Sequence, residues 1–143
     1  METTLYYVRL QTHNGIALFS LEDLTQIAVD ELSQIAHHQG ITIDQWVIFP
    51  DGVHILVRVS ERTVDGHATS SKPRLLTSFV ARFKAATAKR INMVRNQPGL
   101  SVWQRSYREQ LIQDEVTLAR LKKRISSAEG TVASNLKRHP YRT

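Results

Sequence analysis

The residues with the most chemistry to offer are cations. Lys and Arg number 19 against 13 Asp and Glu in 143 residues, a formal net charge of +6. They are unevenly placed. Residues 1–70 hold three basic residues (Arg9, Arg58 and Arg62) against nine acidic ones, a net of −6. Residues 71–143 hold sixteen basic residues against four acidic ones (Glu109, Asp114, Glu115 and Glu129), a net of +12. Ten of these sixteen fall into three groups: Arg82, Lys84, Lys89 and Arg90; then Arg105 and Arg108; then Arg120, Lys122, Lys123 and Arg124. Such a half suits a polyanion, and nucleic acid is the polyanion whose affinity rests on phosphate contacts by Lys and Arg. Each group by itself also fits a solvated helix face. Their combination points to a DNA groove.

Other chemically capable residues carry less. Trp46 and Trp103 could stack on bases, but both sit among apolar strand residues, which favours a core role. His37-His38 ends a helical stretch, where cations suit the dipole. His67 and His139 fall in loops. There are no cysteines, which excludes disulfides, cysteine-ligated zinc and thiol catalysis. Hydrophobic residues make up 41%, and no apolar run approaches the roughly 20 residues that span a bilayer. The opening METTLYYVRL has no signal-peptide pattern. A cytoplasmic protein without membrane association is expected.

The elements that must position these residues follow from periodicity. Residues 4–12 read as a strand, His13-Asn14-Gly15 as a turn. A helical period runs from Leu21 through Leu24, Ile27, Ala28, Leu32 and Ile35, with Ser20 and Asp23 near a capping box and Gly40 as its C-terminal cap. Residues 41–49 and 53–59 are strands joined by Pro50-Asp51-Gly52. Residues 61–73 form a polar loop. An amphipathic helix follows, its stripe being Leu76, Phe79, Val80, Phe83, Thr87, Ile91 and Val94, ended by Pro98-Gly99. Residues 101–107 read as a short strand continued irregularly by 109–112. A last helix starts near Asp114-Glu115 and turns Leu118, Leu121 and Ile125 inward. Without that last helix the order is β-α-β-β-α-β, so the expected fold class is α+β, a ferredoxin-like sandwich with an added C-terminal helix. One domain spans 1–136, followed by a basic tail, 137–143.

Several pieces in fixed order carry a resemblance. They are Thr12-His13-Asn14, Phe49-Pro50-Asp51, Val53-His54-Ile55-Leu56, Phe83-Lys84, Val102-Trp103-Gln104-Arg105 and Ile112-Gln113-Asp114-Glu115. From Tyr6 to about Ile125 the chain resembles the single-tyrosine HUH transposases, in particular the REP-associated tyrosine transposases. The resemblance implies two histidines at i and i+2 on one strand face. With a carboxamide from the last helix they hold Mg²⁺ or Mn²⁺, which polarises the scissile phosphate. A helix tyrosine attacks that phosphorus and forms a covalent phosphotyrosine.

Carried over residue by residue, His54 is the second histidine, and the first falls on Gly52. The tyrosine falls on Arg124, the asparagine on Ala128 and the following proline on Glu129. One histidine cannot fix a metal geometry. Arg124 stays protonated and cannot be the nucleophile, although it could bind the phosphate the tyrosine would attack. The implied protein binds single-stranded or hairpin DNA through Arg82, Lys84, Lys89, Arg90, Arg105, Arg108, Arg120, Lys123 and Arg124. Its catalytic centre is degenerate, with no cofactor expected. Relatives occur as monomers and homodimers. The alternatives are an active nuclease with Tyr107 as nucleophile, and Asp51 or His13 as substitute ligand; an RNA-binding module of the same fold; and a protein-interaction domain.

Overall fold

The computed structural model describes residues 2–35, 40–61, 74–127 and 132–133. Alternation along the first strand sends Tyr6, Val8 and Leu10 to one side of a sheet and Leu5 and Tyr7 to the other. This strand is β1 (Glu2–Gln11). The same period builds β2 (Ile41–Phe49) and β3 (Gly52–Glu61), joined by the tight turn at Pro50-Asp51. β3 is central. Val53, Ile55 and Val57 face one core and Leu56 the other, each fully buried.

Two helices cover the first face: α1 (Glu22–Ile35) and α2 (Arg74–Val94). Leu76, Phe79, Val80, Phe83 and Ile91 of α2 meet Leu24, Ile27, Ala28 and Leu32 of α1 over the sheet. Each such side chain contributes roughly 1.5–3 kcal/mol on burial. β4 (Arg108–Ile112) adds to the free edge of β1, and α3 (Glu115–Ser126) returns over the opposite face. Asp114 caps α3, its carboxylate accepting from Thr117 N at 2.7 Å. Leu121 and Ile125 are buried against Leu5, Tyr7, Val47 and Leu56. A short β5 (Val132–Ala133), which the sequence did not signal, pairs with β2. All pairings are antiparallel, in the order β4-β1-β3-β2-β5. The fold is the expected α+β ferredoxin-like arrangement, with α3 as a third layer.

Three local expectations are corrected. Residues 101–107 are not a strand: only Trp103 forms an isolated bridge, to Thr12, and the strand is Arg108–Ile112. The carbonyls of Gln104, Arg105 and Ser106 instead accept from Lys84 Nζ at 2.7, 3.3 and 3.3 Å. Val94 leaves the apolar stripe of α2 and is 57% exposed, because it lies at the open end of the α1–α2 seam. Ser20 sits in a 3-10 turn (Leu18–Ser20) before α1. There Thr25 Oγ1 donates to Phe19 O and Leu21 O. His37-His38, the loop at 62–73, Ala128, Glu129 and the tail 137–143 lie outside the described residues. Among the described residues, no helix is long and apolar enough to cross a membrane.

Candidate functional site

The sheet register assembles the site. In the β1–β3 ladder Arg9 stands opposite His54, and in the β1–β4 ladder Arg9 stands opposite Arg108. Arg108, Arg9 and His54 therefore form one row across three strands. Cross-strand partners share a face, so the row lies on the α3 side with Tyr7. A cleft of about 450 Å³ at this end of the sheet is lined by Arg9, Asp51, Gly52, His54, Tyr107 and Arg108 among others.

His54 is held on all sides. Its Nδ1 lies 2.7 Å from the Tyr7 hydroxyl, and the Tyr7 and Phe49 rings pack against it with centroids 5.4 and 4.7 Å away. Its pKa is lowered from 6.5 to about 4, by burial first and then by the charges of Arg9 and Arg124, against an opposing pull from Asp51. Burial raises the Tyr7 pKa, while Arg124 and Arg9 partly offset that rise. Both groups are thus neutral at pH 7. Arg124, an exposed α3 residue, exerts its charge on this pair from the layer above the sheet.

Gly52 is buried, and a Cβ built on it would lie 2.5 Å from the backbone carbonyl oxygen of Leu10. The position two residues before His54 thus admits no side chain without moving β1 or β3. Among the described residues, no three His, Asp or Glu side chains cluster to hold a metal. One histidine, flanked by Arg9 and Arg124, does not fit a divalent cation.

The residues expected to bind DNA are distributed over both faces. Arg108 lines the cleft. Arg120, Lys123 and Arg124 are exposed on α3, and Arg105 is exposed in the segment before β4. Arg82 and Lys89 are exposed on α2, across the sheet from His54. Lys84 is engaged with the 104–106 carbonyls and lies 5.9 Å from the Tyr107 ring centroid. Arg90 clamps α2 to α1: it donates to Glu31 at 3.0 Å and to Asp30 at 3.3 Å. Those partners raise its pKa, Glu31 most. Tyr107 packs against the α1–α2 core, and its hydroxyl is 3.5 Å from Thr77 Oγ1 on α2. That places its hydroxyl bond on the opposite layer from the Tyr7–His54 pair. Trp46 and Trp103 are both 9% exposed core residues, and Trp103 Nε1 donates to Thr87 Oγ1 at 2.8 Å.

Sequence reasoning missed Arg9 and Tyr7. Their i, i+2 spacing puts them on one strand face, but only the ladder brings that face to His54.

The class is therefore an antiparallel α+β domain with a cleft at the His54 end of its sheet that holds Arg9 and Arg108. No family model matches the chain, and no curated protein matches it. Among solved structures, a REP-associated tyrosine transposase bound to a REP hairpin is similar, with a TM-score of 0.57 and 14% identity over 82% of this chain. The match takes in 61% of that protein, so this chain spans about three fifths of its length. A candidate transposase from Deinococcus radiodurans R1 is also similar, with a TM-score of 0.54 and 22% identity over 88% of this chain and 91% of that one. The chain has the transposase-like fold of the REP-associated type.

Proposed function

We propose that the protein binds structured single-stranded DNA, a hairpin with its flanks, and does not cleave it. The observation that carries the reading is the grouping of cations at His54: Arg9 and Arg108 line its cleft, and the charges of Arg9 and Arg124 act on its ring. Phosphate neutralisation by such a set supplies salt-dependent affinity. The similar transposase was solved with a REP hairpin, which supports a hairpin as the ligand. Loss of cleavage follows from Gly52, whose backbone environment excludes a second histidine, and from Arg124, which cannot attack phosphorus. In this reading Arg82 and Lys89, across the sheet, contribute little to binding.

The test is a labelled DNA hairpin with single-stranded flanks, incubated with purified protein and Mn²⁺ or Mg²⁺. The expected result is binding that weakens steeply with salt and no covalent adduct on a denaturing gel. A metal-dependent adduct would overturn the reading and make Tyr107 the first residue to replace.

A further inference from the structure

We propose that Arg9, Arg108 and Arg124, together with His54, form a metal-free binding site for a single phosphodiester group. The assignment of that phosphate to a DNA strand rests on the function proposed above; the site itself is read from the sheet register and the cleft.

Arg9 and Arg108 are direct cross-strand partners, an arrangement of like charges that disfavours the folded sheet unless an anion lies between them. Neither has an ion-pair partner among the described residues, and the same is true of Arg124. Arg58 pairs with Asp44 at 2.8 Å, and Arg90 pairs with Asp30 and Glu31. Asp51 is the one carboxylate among the residues lining the cleft, and no ion pair joins it to Arg9 or Arg108, so the cleft keeps a net positive charge.

The floor of the cleft is shaped for a ligand rather than for a side chain. Gly52 presents bare backbone beside His54, and the contact with Leu10 O keeps it so. Guanidinium groups match the paired non-bridging oxygens of a phosphate in bidentate fashion, and two of them facing one cleft favour an anion over a cation. Tyr7 completes the site from below. The Tyr7 hydroxyl lies 2.7 Å from Nδ1; in the proposed site it donates to that nitrogen, which leaves the proton of neutral His54 on Nε2 as a hydrogen-bond donor. A metal would need that nitrogen's lone pair instead. His54 is thus a phosphate donor, and Tyr7 is the positioning residue that sets its tautomer.

The experiment combines two readouts on the full chain in EDTA. Inorganic phosphate is titrated while the Arg Nε–H and His54 ring signals are followed by ¹⁵N NMR. Hairpin affinity is then measured for wild type, Arg9→Gln, Arg108→Gln and Lys89→Gln, each checked for its fold by circular dichroism. Saturable phosphate shifts at Arg9, Arg108 and Arg124 are expected. So is a roughly tenfold loss of hairpin affinity in Arg9→Gln and Arg108→Gln, with little change in Lys89→Gln. Hairpin binding unaffected by either arginine substitution would overturn the site while leaving DNA binding intact. Phosphate shifts without hairpin binding would support the site and remove the proposed DNA function. Saturable paramagnetic broadening of the His54 ring signals by micromolar Mn²⁺ would show a metal site and overturn the proposal.

Discussion

The Tyr7 hydroxyl and His54 Nδ1 lie 2.7 Å apart, joining a β1 side chain to a β3 side chain beneath α3. Tyr7 belongs to the smaller core, and the bond to His54 spans 47 residues of sequence. Tyr7→Phe removes the hydroxyl and leaves a mostly buried ring nitrogen without its partner. The expected cost is about 1–2 kcal/mol of stability. The site reading adds a second expectation: hairpin affinity falls as well, because the His54 tautomer is no longer set. Chemical denaturation and anisotropy titrations measure the two effects separately, and a stability loss with unchanged affinity would leave Tyr7 a purely structural residue.

Stability should fall in mildly acidic solution. The His54 pKa is lowered to about 4 in the folded protein, against 6.5 ordinarily. Protonation therefore favours the unfolded chain. The stabilisation is complete above pH 6.5 and is lost progressively as pH falls towards about 4. The full effect is at most roughly 3 kcal/mol. Tyr7, Arg9, Asp51 and Arg124 are the polar groups that face the ring, and Asp51 alone opposes the shift. Urea midpoints at pH 7 and pH 4.5 for wild type and His54→Gln test this: the wild type should lose more. Equal losses would place the acid sensitivity elsewhere.

Gly52 resists repair of the implied metal pair. Gly52→Ala puts a Cβ 2.5 Å from the Leu10 carbonyl oxygen and is expected to cost about 1–3 kcal/mol, as overpacked core sites do. Gly52→His, which would restore the histidine pair by composition, is expected to be destabilised and to gain no Mn²⁺-dependent adduct formation. Thermal melts and the denaturing-gel assay check both. A stable, cleaving Gly52→His variant would show that the backbone adapts.

Two arginines that look alike in sequence should behave differently. Arg90→Met leaves the nearly buried Glu31 carboxylate without its partner, and roughly 1 kcal/mol of stability should be lost. The figure is kept low because the Arg90 side chain is 39% exposed and its pairs are screened by water. Hairpin affinity should be unchanged. Arg124→Gln should show the reverse, normal stability with weaker hairpin binding and a shallower salt slope. Measuring both properties in both variants separates a structural cation from a binding one.

The amino-acid sequence by itself determined the elements. The alternation in ITIDQWVIF and VHILVRV, the turn at Pro50-Asp51-Gly52 and the three- and four-residue stripe of α2 each follow from local geometry, so β2, β3 and α2 were legible with little error. The basic second half and the absence of a side chain at position 52 were legible too. Only the tertiary structure decided which cations act together. Lys84 and Arg90 share a helix with Lys89, yet the first two are engaged by the 104–106 carbonyls and by Asp30 and Glu31. Arg9, the lone arginine among the first fifty residues, reaches the site because antiparallel registry sets it between His54 and Arg108. Registry between distant strands depends on the burial of whole faces at once, and no local period encodes it.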